Sequence, residues 1–235
     1  ASHGLLDAWT TYGTLLLWPF SDMRVAWNVV SVVDPLFSLP LGIGVALAFL
    51  LRQARWSCLA LGWGVLYLLF GLWQHDRVEQ AAWELAERRG HAPTRLDAKP
   101  GFANLLVWKV VYEYQGRFYV DAIRAGSVMQ PYPGVDIQKL DLRQHLRWLD
   151  PASVQAEDIE RFRWFSNDYL ALRGNNEIID VRYSAIPNEI QPLWGIRLNA
   201  QADAHSHVEY FTEREVNARQ TQKLLTMLRG ESIEN

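Results

Sequence analysis

The sequence predicts an α+β protein. An N-terminal helical membrane region with a two-span hairpin is followed by a soluble antiparallel-sheet domain with helices. Three observations predict it. Residues 36–51 and 56–73 contain no charged residue. After residue 104 the apolar pattern changes to β-branched and aromatic runs broken by Gln-Gly, Gly-Asn-Asn and Pro. The mean hydropathy of −0.11 looks soluble only because it averages two unlike halves.

The first element is HGLLDAWTTYG. Read as a helix, it sets His3 and Asp7 four residues apart on one face, with Thr10 and Thr11 continuing that face. Gly13 is placed as its C-cap. A neutral imidazole and a carboxylate one turn apart can hold one divalent cation together. The blander reading is a His–Asp hydrogen bond that satisfies two polar groups; two ligands are fewer than a zinc site usually needs. Asp22 reads as a turn residue. Asp34-Pro35 reads as an N-cap with proline at the first helical position, the alternative being a ligand or a supporting contact to one.

The two apolar runs come next. Residues 56–73 rise about 26 Å as a helix, close to the ~30 Å hydrocarbon core of a bilayer. Trp56 and Trp73 stand at the two ends, where interfacial aromatics belong. Glycines 42, 44, 62, 64 and 71 fit membrane helices better than soluble ones. A pair of buried core helices is the alternative. Arg52 and Arg55 in the tight turn favour a cytoplasmic turn, against which Arg77, Arg88, Arg89, Arg95 and Lys99 follow the second run. Residues 74–89 continue that run into water as an amphipathic helix, with Val78, Ala82, Leu85 and Ala86 as its apolar stripe and Gly90 as its stop. His75 and Glu79 are again four apart, so a metal pair is one reading; a solvated charged face on an interfacial helix fits better. The domain boundary falls within 90–101, dividing residues 1–99 from 100–235.

In the second half, LLVWKVVYEY and RFYVDAIRA read as a hairpin turning at Gln115-Gly116. QPYPG (130–134) reads as a loop, residues 137–149 as a helix, and residues 156–172 as a stronger helix ended by Gly174. EIIDVRYS, PLWGIRLN and HVEYF read as further strands of one compact sheet, and the last segment as a polar helix. His205 and His207 would point to one side of a strand as a metal pair, though solvated loop histidines fit QADAHSH better. Asp180 and Arg182 read as an ion pair. Cys58, within an apolar run, reads as a packing residue.

Charge and composition exclude several classes. Residues 1–99 carry eight basic and eight acidic residues, and residues 100–235 carry 15 and 18, so neither half offers a nucleic-acid footprint. A single cysteine rules out an intrachain disulfide framework. There is no G-x-S-x-G elbow, H-E-x-x-H, P-loop or paired C-x-x-C.

HGLLDAWTTYGTLLLWPFSD, followed by DPLFSLPL at 34–41, resembles the YdjM-like family of membrane-bound, metal-dependent hydrolases of the bacterial inner membrane. The pattern falls on His3, Asp7, Thr10, Thr11, Gly13, Pro19, Phe20, Ser21, Asp34 and Pro35, with fainter continuation through RGHAP, KPGFANLLVWKVVYE and DVRYS. The family also carries a His-Arg-Gly…Thr-His-Ser stretch just upstream. The chain starts Ala-Ser-His and reads as a piece of a longer protein, so further ligands are expected there. The resemblance implies a multi-pass inner-membrane protein with a divalent metal ion, zinc among the candidates, held by His3 and Asp7. Thr10, Thr11 and Asp34 would support them. The expected partners are the lipid bilayer and an unidentified substrate, an amphiphilic or envelope-derived ester or phosphoester. A non-enzymatic membrane-anchored binding module with a structural His–Asp pair is the rival reading. A transporter fragment is a weaker third, because two spans are too few without further helices.

Overall fold

The computed structural model describes residues 2–233, apart from the Ser2 side chain. The chain forms two compact units. The first comprises Ala1–Leu85, Asp97–Lys109 and Ile123–Gln130; the second comprises Ala86–Leu96, Val110–Ala122 and Pro131–Asn235.

The first unit opens with a short helix, α1 (Ser2–Ala8). It stops well before Gly13 because the backbone beyond it joins the segment 25–30. Trp27 N–H donates to the Ala8 carbonyl, and Val29 and Val30 N–H donate to the Trp9 carbonyl. Thr10 and Thr11 therefore lie outside the helix, and Gly13, at φ 72°, shapes a turn rather than a C-cap.

Helix α2 (Pro35–Leu51) follows, capped by Asp34, whose carboxylate accepts from the Leu36 and Phe37 N–H groups. Arg52, in the left-handed conformation, ends it. Helix α3 (Arg55–Arg88) then runs 34 residues without a break. The two helices lie side by side within this unit. A Cβ on Gly44 would come within 2.5 Å of the Ala60 Cβ, so glycine permits their close approach. The Tyr67 hydroxyl donates to Asp34 Oδ2 at 2.7 Å, and Trp63 Nε1–H donates to the Leu36 carbonyl at 3.0 Å.

Large apolar side chains stay exposed along both helices, among them Ile43, Phe49, Leu59, Leu61, Leu66 and Leu69. Among the described residues α3 is the one helix long and apolar enough to cross a membrane; α2 is apolar over 17 residues and shorter. Cys58 is exposed on this surface instead of packed inside; it stands two residues from Ala60, the residue of α3 that meets Gly44 of α2. Beyond the apolar run, Val78, Ala82, Leu85 and Ala86 are buried, as the amphipathic pattern predicts. Gln74 secures the exit by donating to the Leu105 and Ala125 carbonyls.

Two four-stranded sheets replace the single sheet expected from sequence. The first has the order β1 (Arg95–Pro100), β2 (Val107–Tyr114), β3 (Arg117–Ala125), β4 (Met129–Gln138). The hairpin at Gln115-Gly116 forms as predicted, with both turn residues at positive φ, which matches the twist of paired strands. Strand β4 replaces the loop that Pro131 and Pro133 suggest. It sits at the sheet edge, where a missing N–H costs no ladder bond.

In the second unit, the predicted helix over 137–149 shrinks to α4 (Leu142–His145), capped by Asp141. Helix α5 (Val154–Phe165) ends earlier than predicted. Asn167 and Asp168 take left-handed conformations there, and the apolar tail becomes strand β5 (Leu170–Arg173). The second sheet then runs β5, β6 (Glu177–Asp180), β7 (Trp194–Arg197), β8 (Glu209–Thr212), antiparallel throughout. Helix α6 (Ala218–Arg229) closes the chain with a capping box from Asn217 and Gln220. Two apolar cores hold the unit. One gathers Val111, Phe118, Val120, Tyr169, Ile179 and Val181; the other gathers Leu146, Ile159, Leu170, Ile178, Ile196 and Leu198.

Candidate functional site

His3 and Asp7 lie on one face of α1, with His3 Nε2 3.4 Å from Asp7 Oδ2. The imidazole is 92% exposed and the carboxylate 46%. A cation bonded to a His nitrogen and a carboxylate oxygen at about 2.0–2.1 Å in tetrahedral geometry separates the two atoms by about 3.4 Å. The pair therefore has the bite of a metal chelate and also the distance of a plain ion pair. Among the described residues no group of three His, Cys, Asp or Glu side chains could hold a metal ion. A complete coordination sphere at α1 needs ligands from elsewhere.

Thr10 and Thr11 stand just beyond the helix. The Thr10 hydroxyl donates to the Asp7 backbone carbonyl at 2.7 Å, so it fixes the chain next to the carboxylate without touching its oxygens. Thr11 is buried. Asp34 is 2% exposed. Its two oxygens are taken by the cap of α2 and by Tyr67, the structural role its Asp-Pro context predicts. The α1 segment is held within the first unit by Trp9 and Trp27, packed edge to face at 5.3 Å. It is held further by Asn28, whose amide donates to Asp97 and accepts from Lys99.

The second unit contains a polar cluster that sequence reading misses. Arg89 donates to both oxygens of Asp121, at 2.6 and 2.9 Å, and to the Tyr112 hydroxyl at 3.0 Å. Asp121 also accepts the Gly134 N–H at 2.9 Å. Tyr112 Oη lies 2.9 Å from His91 Nδ1. Since its oxygen already accepts from Arg89, the hydroxyl proton is free to point at His91. The His91 ring stacks on Tyr114 at 4.5 Å and leans on Tyr119 at the same distance. Tyr112 and Asp121 are buried, whereas His91, Tyr114 and Tyr119 reach the surface. The hydrogen bond to Asp121 raises the Arg89 pKa against the opposing effect of burial. Burial raises the Tyr112 pKa, opposed by Arg89. The signal in sequence is faint: His91 sits in an apparent loop, and the strand pairing that joins it to residues 112 and 121 is not a local pattern.

The other titratable candidates resolve into pairs. His75 approaches Asp76 and Glu79, each at 3.9 Å, but its side chain is only 16% exposed and its ring meets buried Trp108 edge-on at 5.8 Å, so it does not belong to the solvated face expected for it. His205 and His207 do not share a strand, because β8 begins only at Glu209. His207 instead contacts Asp158 at 2.8 Å. Asp180 and Arg182 form the expected ion pair at 2.6 Å.

No curated protein and no solved structure matches the chain. Residues 1–78, the segment that contains the His3–Asp7 pair, the Asp34 cap and the whole apolar run of α3, match the model of the YdjM inner membrane protein family.

Proposed function

We propose that this is a multi-pass inner-membrane hydrolase that holds a divalent cation, zinc among the candidates, through His3 and Asp7. The observation that carries this reading is the 3.4 Å separation of His3 Nε2 and Asp7 Oδ2 on an exposed helix face within the segment matched by the family model. The remaining ligands come from outside the described residues. A cation bound there supplies Lewis-acid polarisation of the scissile group and acidifies a water molecule.

The chain's own residues contribute position. His3 offers its Nε2 lone pair when neutral, and Asp7 offers an anionic oxygen. Thr10 holds the backbone of Asp7 and so limits the freedom of the carboxylate. The exposed apolar surface of α2 and α3 in the same unit favours an amphiphilic substrate, an ester or phosphoester presented from lipid. In this reading α2 and α3 both enter the bilayer as a hairpin, supported by the close approach at Gly44 and the Tyr67–Asp34 bond.

The experiment is hydrolysis of lipid-like ester and phosphoester substrates by the full-length protein in native membranes. Chelator-sensitive activity lost in His3→Ala and Asp7→Ala supports the assignment, and activity unchanged by either substitution refutes it.

A second reading is a membrane-anchored binding module with a structural His–Asp pair. It is favoured by the surface rings of His91, Tyr114 and Tyr119 backed by the Arg89–Asp121 pair, an ordered aromatic patch with a fixed polar base. Substitution of Tyr114 and Tyr119 would then abolish partner binding and leave the metal content of the protein unchanged.

A further inference from the structure

The loop between Thr14 and Val25 has an unusual surface. Its base is closed by two backbone hydrogen bonds, Thr14 to Val25 and back, each 2.9 Å. Its tip exposes Leu17, Trp18, Phe20 and Met23, with Phe20 95% and Trp18 70% accessible. Side chains of this kind are ordinarily buried, and a run of them within one short loop marks a contact surface.

The segment that trails the loop ties it to α3. The Val29 carbonyl lies so close to α3 that a Cβ on Gly71 would approach it to 2.8 Å. Gly71 stands two residues before Trp73, the last residue of the apolar run; Gln74, His75, Asp76 and Arg77 follow. Trp73 is half exposed and carries the Arg77 guanidinium over its ring at 4.4 Å, an arrangement suited to the boundary between hydrocarbon and water. The segment 25–30 that trails the loop therefore touches α3 two residues before the end of its apolar run. Val32, Val33 and Leu36 are exposed as well, just beyond the buried residues Asn28, Val29 and Val30, and lead into the exposed apolar surface of α2. Asp22 and Arg24 stand on either side of Met23, so Leu17, Trp18 and Phe20 form the uncharged part of the tip and Met23 sits at its charged border.

We propose that residues 15–24 form an interfacial anchor that inserts Leu17, Trp18, Phe20 and Met23 into the headgroup–acyl boundary of the same leaflet from which α3 emerges. The occupant of this surface is lipid, because the segment that carries the loop packs on α3 beside Trp73, at the end of an apolar run whose flank is itself exposed. A Cβ on Gly4 of α1 would lie 4.0 Å from the Leu16 side chain. Insertion of the loop would thus hold α1, with His3 and Asp7, beside the headgroups. The inference rests on α3 crossing the bilayer and is independent of metal binding.

The test uses the full chain with Cys58→Ser, carrying an environment-sensitive fluorophore on Phe20→Cys, reconstituted in phosphatidylethanolamine–phosphatidylglycerol vesicles. Leu66→Cys, on the exposed apolar flank of α3, and Gln201→Cys, on the exposed surface of the second unit, are labelled in parallel. Insertion predicts blue-shifted emission at position 20, quenching by lipids spin-labelled near the headgroup, and iodide quenching about threefold or more below that at position 201. Lipid quenching at position 66 with water-like emission and full iodide access at position 20 overturns the anchor while sparing the span. Water-like behaviour at both positions overturns both. Cross-linking of position 20 between two copies without lipid quenching also overturns it, and assigns the surface to self-association. The unlabelled Trp18→Ser/Phe20→Ser variant, which deletes only exposed side chains, should keep the helical circular dichroism of the parent and make tryptic cleavage after Arg24 several-fold faster in vesicles; an unchanged rate counts against insertion.

Discussion

Replacing Arg89 with methionine is expected to be the most damaging single change in the second unit that leaves its apolar cores intact. The guanidinium makes three hydrogen bonds, two to Asp121 and one to Tyr112. Asp121 is 2% exposed, so without Arg89 its charge loses two hydrogen bonds and retains that of the Gly134 N–H. Breaking a buried pair by removing one partner typically costs about 3–5 kcal/mol. The Arg89 side chain is 28% exposed, so water can partly take its place, which lowers the expectation to about 2–3 kcal/mol. At about 2–4 °C per kcal/mol for a chain of this size, the midpoint of thermal unfolding should fall by about 4–12 °C. The assay is near-ultraviolet circular dichroism of the full chain in detergent. Adding Asp121→Asn to Arg89→Met should recover part of the loss, because the double variant has no unpaired buried charge. A shift below about 1 °C for Arg89→Met would refute the view that this pair organises the cluster beneath His91.

Gly71→Ala should displace the segment around Val29, whose carbonyl would meet the new Cβ at 2.8 Å, at a cost of about 1–3 kcal/mol; Gly62→Ala, with open space around it, should be neutral or slightly stabilising, and thermal unfolding in detergent distinguishes them. Gln74→Leu removes a donor from the Ala125 carbonyl and one of two from the Leu105 carbonyl, which keeps Trp108 Nε1–H, in a site that is 1% exposed, and should cost about 1–3 kcal/mol by the same assay. Acid should weaken the second unit through carboxylates held below their ordinary range. For Glu213 the cause is the Arg173 hydrogen bond. For Glu177 and Asp168 burial works the other way but is outweighed by hydrogen bonds, from Arg197 and Arg173 to the first and from Lys139 and Arg163 to the second. A depressed folded-state value contributes stability that is present above the unfolded value and is lost as pH falls through the folded one. The unfolding midpoint should therefore hold down to about pH 5 and drop below about pH 4, and Arg173→Ala should flatten that drop.

The helical part of the fold is legible because its signals are local. An uncharged run, tryptophans at its ends and an apolar stripe at helical spacing lead to α3 and its extension without any knowledge of partners. Asp34 announces itself as a cap by preceding a proline. Signals fail where tertiary pairing overrides local preference. Thr10 and Thr11 look helical by spacing, but the backbone of residues 25–30 captures the end of α1. Pro131 and Pro133 look like a loop because sequence alone does not reveal that a strand will lie at an edge. The tail of α5 is apolar enough to continue the helix, and becomes β5 where the chain turns at Asn167 and Asp168. Strand β1 reads as part of a linker, since RLDAKP lacks the alternation that marks a strand. The His3–Asp7 spacing is legible, and the contact at 3.4 Å agrees with it. The Arg89–Asp121–Tyr112–His91 cluster is not, because its members meet only through the hairpin and the end of α3.

Metal analysis of the full-length protein extracted from native membranes tests the assignment of His3 and Asp7 most directly. Stoichiometric divalent metal in the wild type, lost in both His3→Ala and Asp7→Ala while each variant keeps its helical circular dichroism, is the predicted result. A wild-type protein that holds no metal under native extraction, or variants that retain it in full, would contradict that assignment.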